Sequence, residues 1–111
     1  MGTTLLDLYS GQPGIADTTL YTCPANTRVR VVAGTVTNDA AVAKWISFHR
    51  VPSGGAVGDA NIIINSKVIG DKESYMLPEV VGHILEPGDL ISSITETAAT
   101  LTVHLSGIAI T

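Results

Sequence analysis

Short runs of Val, Ile and Thr follow one another along the whole chain. Turn formers (Gly, Pro, Asn, Asp) interrupt them about every 8–12 residues. β-Branched side chains suit a pleated, half-buried surface and lose rotamer freedom in a helix. No segment of about 10 residues or more carries the apolar period of an amphipathic helix. The pattern therefore predicts an all-β fold. A chain of 111 residues has room for one core. About eight strands suffice for two packed antiparallel sheets, a β-sandwich of the jelly-roll or Greek-key kind. A small closed barrel is the alternative. With 45% apolar and 14% charged residues the chain is not a disordered one. Aromatics are only 5%, so aliphatic side chains must fill the core.

Residues 1–17 differ from the rest. Leu5, Leu6, Leu8 and Tyr9 make an extended, sticky segment, and Ser10-Gly11-Gln12-Pro13-Gly14 follows as a run of turn formers. The reading taken is an extended N-terminal arm and hinge over residues 1–17, ahead of a β-sandwich domain over residues 18–111. A bare Leu-rich edge requires a partner. The competing reading is a first strand packed on its own domain.

Strands are expected at residues 18–22, 27–38, 42–51, 61–69, 74–77, 90–96 and 101–106, with a brief extended segment or helical turn at 80–85. Val29 and Val31 share a face and Val36 falls in the opposite register, which predicts a bulge near Ala33-Gly34. Val42, Ile46 and Phe48 are assigned to the core. Trp45, Ser47, His49 and Val51 take the other face, where a second layer or a partner subunit must cover Trp45. Ile62-Ile63-Ile64 implies burial on both sides. Glu86-Pro87-Gly88-Asp89 fits a type II turn, with Pro at i+1 and Gly at i+2. A register shift is expected at Ser106-Gly107, before Ile108 and Ile110.

Residues arranged for catalysis are not apparent. His49, His83 and His104 are isolated, without the His-x-His and following Glu of metal-binding cupins, so no metal and no cofactor is expected. Most carboxylates sit beside turns, where Asp bonds local backbone N–H groups. Gly54, Gly55 and Gly58 lack the Lys-Ser/Thr pair of a phosphate loop. Cys23 is alone, cannot form an intrachain disulfide, and reads as a buried thiol. The net charge is −4 with six scattered basic residues, which disfavours nucleic acid. No run of about 18 apolar residues offers a membrane span. No basic segment leading into an apolar one suggests a signal peptide. Met1-Gly2 opens like a myristoylation signal, but Leu6 stands where Ser or Thr is needed.

Four stretches carry a family resemblance. They are Leu20-Tyr21-Thr22-Cys23-Pro24-Ala25-Asn26-Thr27 continuing to Val36-Thr37-Asn38, then His49-Arg50-Val51-Pro52-Ser53-Gly54-Gly55, then Leu85-Glu86-Pro87-Gly88-Asp89-Leu90-Ile91, and finally Leu105-Ser106-Gly107-Ile108. Over residues 18–111 the chain resembles small β-sandwich virion proteins of tailed bacteriophages. The motifs are structural turns. The resemblance implies a non-enzymatic virion protein, assembled in the host cytoplasm. The favoured role is a head decoration (cement) protein that binds the major capsid protein or another virion protein. The alternative is a tail, neck or fibre module, including a host-glycan binder. Homo-oligomers are expected, with Leu5, Leu6, Leu8, Tyr9, Trp45 and His49 at the interface.

Overall fold

Alternating inward and outward side chains divide the chain between two antiparallel sheets with one core. The structure is a computed structural model and describes residues 2–111; Met1, at the head of the expected arm, lies outside the described residues. The strands are β1 (Thr3–Gly11), β2 (Thr18–Thr22), β3 (Arg28–Asn38), β4 (Lys44–Val51), β5 (Ile62–Ile69), β6 (Ser74–Tyr75), β7 (Ile84–Leu85), β8 (Leu90–Thr95) and β9 (Leu101–Ile110). Sheet A runs β1-β9-β3, with β6 and β7 both paired to the far side of β3. Sheet B runs β2-β8-β4-β5. β6 and β7 are two halves of one strand position, separated by residues 76–83. Taken together they leave eight positions in the order of a jelly roll.

Ile46, Phe48 and Ile91 from sheet B meet Val29, Val31, Val36, Leu101, Val103 and Leu105 from sheet A. All are at most 1% exposed. Leu77 and Val80, from the segment that splits β6 from β7, enter the same core. The turn at Glu86–Asp89 closes as expected. Asp89 N–H donates to the Glu86 carbonyl at 2.9 Å, and Gly88 takes φ +88°. A Cβ at Gly88 would also run into the Ser53 side chain, which packs over this turn.

Several expectations change. Residues 3–11 are not an arm. They form β1, which pairs with β9 from Thr3 opposite Ile110 to Gly11 opposite Val103. Leu8 joins the core, and Leu6 and Tyr9 pack against it. Burial on this chain's own sheet outweighs the tendency of the segment to reach away. β4 begins at Lys44, which leaves Val42 exposed in the preceding turn rather than in the core. Ile64 is buried, while Ile62 and Ile63 are only half-buried, because β5 is an edge strand.

The expected register shift within β9 is also absent. β9 alternates without a break, and the extra residues lie in its neighbours: Leu8 in β1 and Val32 in β3. Ser106, opposite Asp7 and Ala33, borders both irregularities, and its neighbour is Gly107. A Cβ there would be 2.5 Å from the Arg30 carbonyl oxygen, so the strands close up only over glycine. Leu101, Val103, Leu105, Gly107 and Ala109 therefore point inward, and Ile108 and Ile110 point out.

Candidate interaction surface

Polar and reactive side chains are spent on the scaffold. Asp89, nearly buried, accepts from Ser53 N–H, Glu86 N–H and Arg50 Nη2, each at 3.0 Å. Arg50 also donates through Nε and Nη2 to the Ile84 carbonyl at 3.1 and 2.9 Å. One ion pair thus ties β4 to the turn before β8 and to β7 across the sandwich. Cys23 is buried, with its thiol directed at the carbonyls of Thr27 and Leu85. Burial, reinforced by the charges of Asp89 and Glu86, pushes the Cys23 thiol above its ordinary pKa. A protonated, enclosed thiol is a poor nucleophile. The Tyr75 hydroxyl donates to both Glu79 oxygens at 2.7 and 2.9 Å, which raises its pKa. Among the described residues, no group of three or more His, Cys, Asp or Glu is placed to hold a metal.

The six interface residues read from the sequence scatter. Leu5 is 80% exposed on the outer face of sheet A. Leu6 and Tyr9 are half-buried, and Leu8 is in the core, unavailable to a partner. Trp45 is half-buried on the outer face of sheet B, far from β1 in strand order. Its backbone N–H donates to Glu96 Oε1 at 3.1 Å. His49 lies on the same face but is only 5% exposed, so it is a shielded side chain rather than an open contact. Its cross-strand neighbour Ser92 is 1% exposed. Among the described residues, His49 Nδ1 and Ser92 Oγ have no hydrogen-bond partner.

Sheet A brings together what the sequence did not. Pairing places Leu5, Ile108, Arg30 and Ile84 in one rung across β1, β9, β3 and β7. Thr3, Ile110 and Arg28 form the next rung. Leu5, Ile84 (51% exposed) and Ile110 (44%) stand free on this outer face. Beyond them the extra residue Val32 and the exposed Met76 line an open groove of about 680 Å³. Pro78 and Val81 form the groove's other wall. The groove exists because residues 76–83 leave β3 between its two short partner strands. Arg28 pairs with Glu86 at 3.1 Å at the margin. The missed signal was the unbroken alternation of β9, which alone assigns Ile108 and Ile110 to the outside.

Neither a protein-family model nor a curated protein matches this chain.

Proposed function

We propose that this chain is a non-enzymatic structural protein of a bacteriophage virion, a decoration protein that lies on the head shell through the outer face of sheet A. The observation that carries the reading is the grouping of Leu5, Ile84, Ile110, Val32 and Met76, all exposed, on that one face. Contiguous apolar surface on a small domain marks an interaction site. The virion context comes from the resemblance of residues 18–111 to small phage β-sandwich proteins; a jelly roll by itself carries no function. Two arginines beside the apolar rungs fit the composition of interface cores, where Arg is favoured over Lys.

The test is co-sedimentation of the purified protein with phage heads that lack it. Saturable binding at a fixed ratio to the major capsid subunit is the expected result. The double variant Ile84→Glu, Ile110→Glu should keep its fold and lose that binding. Failure of the unaltered protein to bind heads would overturn the head assignment. Glycan-array binding that disappears on Trp45→Ala would replace it with tail-tip recognition.

A further inference from the structure

The two sheets leave very different edges. β6 and β7 are two residues each, too short to template another strand. β5 is broken by irregular pairing with β4, carries Lys67, and holds Ser66 at φ +52°. The Ser66 N–H is taken by the Ser47 hydroxyl at 2.8 Å. β2 is five residues long and interrupted between Thr19 and Tyr21. β1 is nine residues long, free of Pro and Lys, and regular from Thr3 to Asp7. It is the one long edge among the described residues without a guard.

The direction of its free groups follows from one residue pair at the start of the ladder. Gly2 N–H donates to the Thr111 carbonyl at 3.2 Å, and Thr111 N–H returns to the Gly2 carbonyl at 3.0 Å. That pair is the hydrogen-bonded type, so the ladder alternates from it. Thr4 and Leu6 then bond Ala109 and Gly107, whereas Thr3, Leu5 and Asp7 turn their N–H and C=O groups to the open side.

We propose that a second copy of this chain covers that edge, its β1 antiparallel to the first, with a two-fold axis at Leu5. In this register Leu5 faces Leu5 of the second copy, and Thr3 faces Asp7 in both directions. All three outward N–H groups and all three outward carbonyls on each copy are then bonded, six hydrogen bonds by count of those residues. Centring on Thr4 or Leu6 keeps only four, because the next pair falls outside β1 or beyond the irregularity after Asp7. Centring on Asp7 sets two carboxylates face to face, which is unfavourable. The Leu5 register avoids this and leaves each Asp7 beside a Thr3 hydroxyl. The two A sheets become one, and the Leu5–Ile108–Ile84 rungs of both copies run on a single outer face. The pairing stands whether or not that face rests on a head shell. A contact of this size predicts a weak dimer in solution.

Cysteine scanning on the full chain reads the register directly. Cα atoms of a hydrogen-bonded pair lie ~5.5 Å apart, within disulfide reach. Leu5→Cys should therefore form a covalent dimer on mild oxidation. Thr3→Cys should not, since four residues of stagger separate its copies by about 13 Å. Cys23 is buried and serves as the silent background. In parallel, Leu5→Pro removes the outward N–H and leaves the bonds to β9 in place, as proline at an edge allows. It should raise the dimer dissociation constant by roughly 100-fold in sedimentation equilibrium, with circular dichroism unchanged. A chain that stays monomeric up to about millimolar concentration overturns the proposal. So does equal cross-linking of the Thr3→Cys and Leu5→Cys variants, or a dimer unaffected by Leu5→Pro.

Discussion

On the outside of sheet A, Leu5, Ile84, Ile110 and Met76 stand in solvent. On the outside of sheet B, Ser47, His49, Val51 and Ser92 are shielded by flanking side chains. The two faces cover the same core and are built from the same residue types. The difference lies in where the bulky aliphatics fall. Sheet B places short polar side chains on its central strands between half-buried Trp45, Ile62 and Ile94, so its middle closes over itself, while Val68 on the edge strand β5, opposite Trp45, stays 60% exposed. Sheet A places isoleucines on the outer side of β9 and β7, with no layer above them among the described residues. Apolar exposure of that kind opposes solubility and persists where a partner uses it. Under the proposed function, the broader apolar face of sheet A is the docking side.

Substitutions can break or sharpen this contrast. The largest expected effect is on what the faces share. Phe48→Ala should cost about 3–5 kcal/mol in chemical denaturation, because a fully buried ring leaves a cavity between both sheets. Asp89→Ala should cost about 2 kcal/mol. It strands the Arg50 charge, itself partly exposed, and the N–H groups of Ser53 and Glu86. Sheet B should respond with the opposite sign at Ser92: removing its unpaired hydroxyl in Ser92→Ala should stabilise the fold by up to about 1 kcal/mol. Destabilisation there would mean that the face holds a bonded partner. On sheet A, Ile84→Gln should change stability by less than about 0.5 kcal/mol, as an exposed position allows.

The pH dependence tests the closed end of the sandwich. The unfolded thiol of Cys23 ionises near 9.0, and the folded one only at higher pH. The native state therefore holds more protons above 9.0, and stability falls as pH rises through that region. The stability of Cys23→Ala, followed by thermal unfolding, should fall less steeply over the same range.

Legibility in the sequence tracked the range of the interaction. Local chemistry was readable: the Pro87-Gly88 turn, the inward Ile46 and Phe48, and the enclosed Cys23 all follow from neighbours within a few residues. The bulge placed near Ala33-Gly34 was off by one or two positions; it is Val32. What failed needed distant partners. β1 looked like an arm because its mate, β9, lies at the other end of the chain. A register shift was expected at Ser106-Gly107, before Ile108 and Ile110; β9 keeps its alternation because the extra residues sit in β1 and β3 instead. Leu77 enters the core from a backbone at φ +48°, a conformation rare for a bulky residue that no local pattern signals. Of the expected contact residues, only Leu5 lies fully on the open face; Leu8 and His49 are sequestered.

The most direct test compares the two faces in one binding experiment. Heads lacking the protein are titrated with the unaltered chain, with Ile84→Glu combined with Ile110→Glu, and with Trp45→Ala, all shown folded by circular dichroism. Loss of head binding for the sheet A variant alone, with Trp45→Ala binding as the unaltered chain does, is the predicted result. Retained binding by the sheet A variant, or loss on Trp45→Ala alone, would contradict the assignment of docking to sheet A.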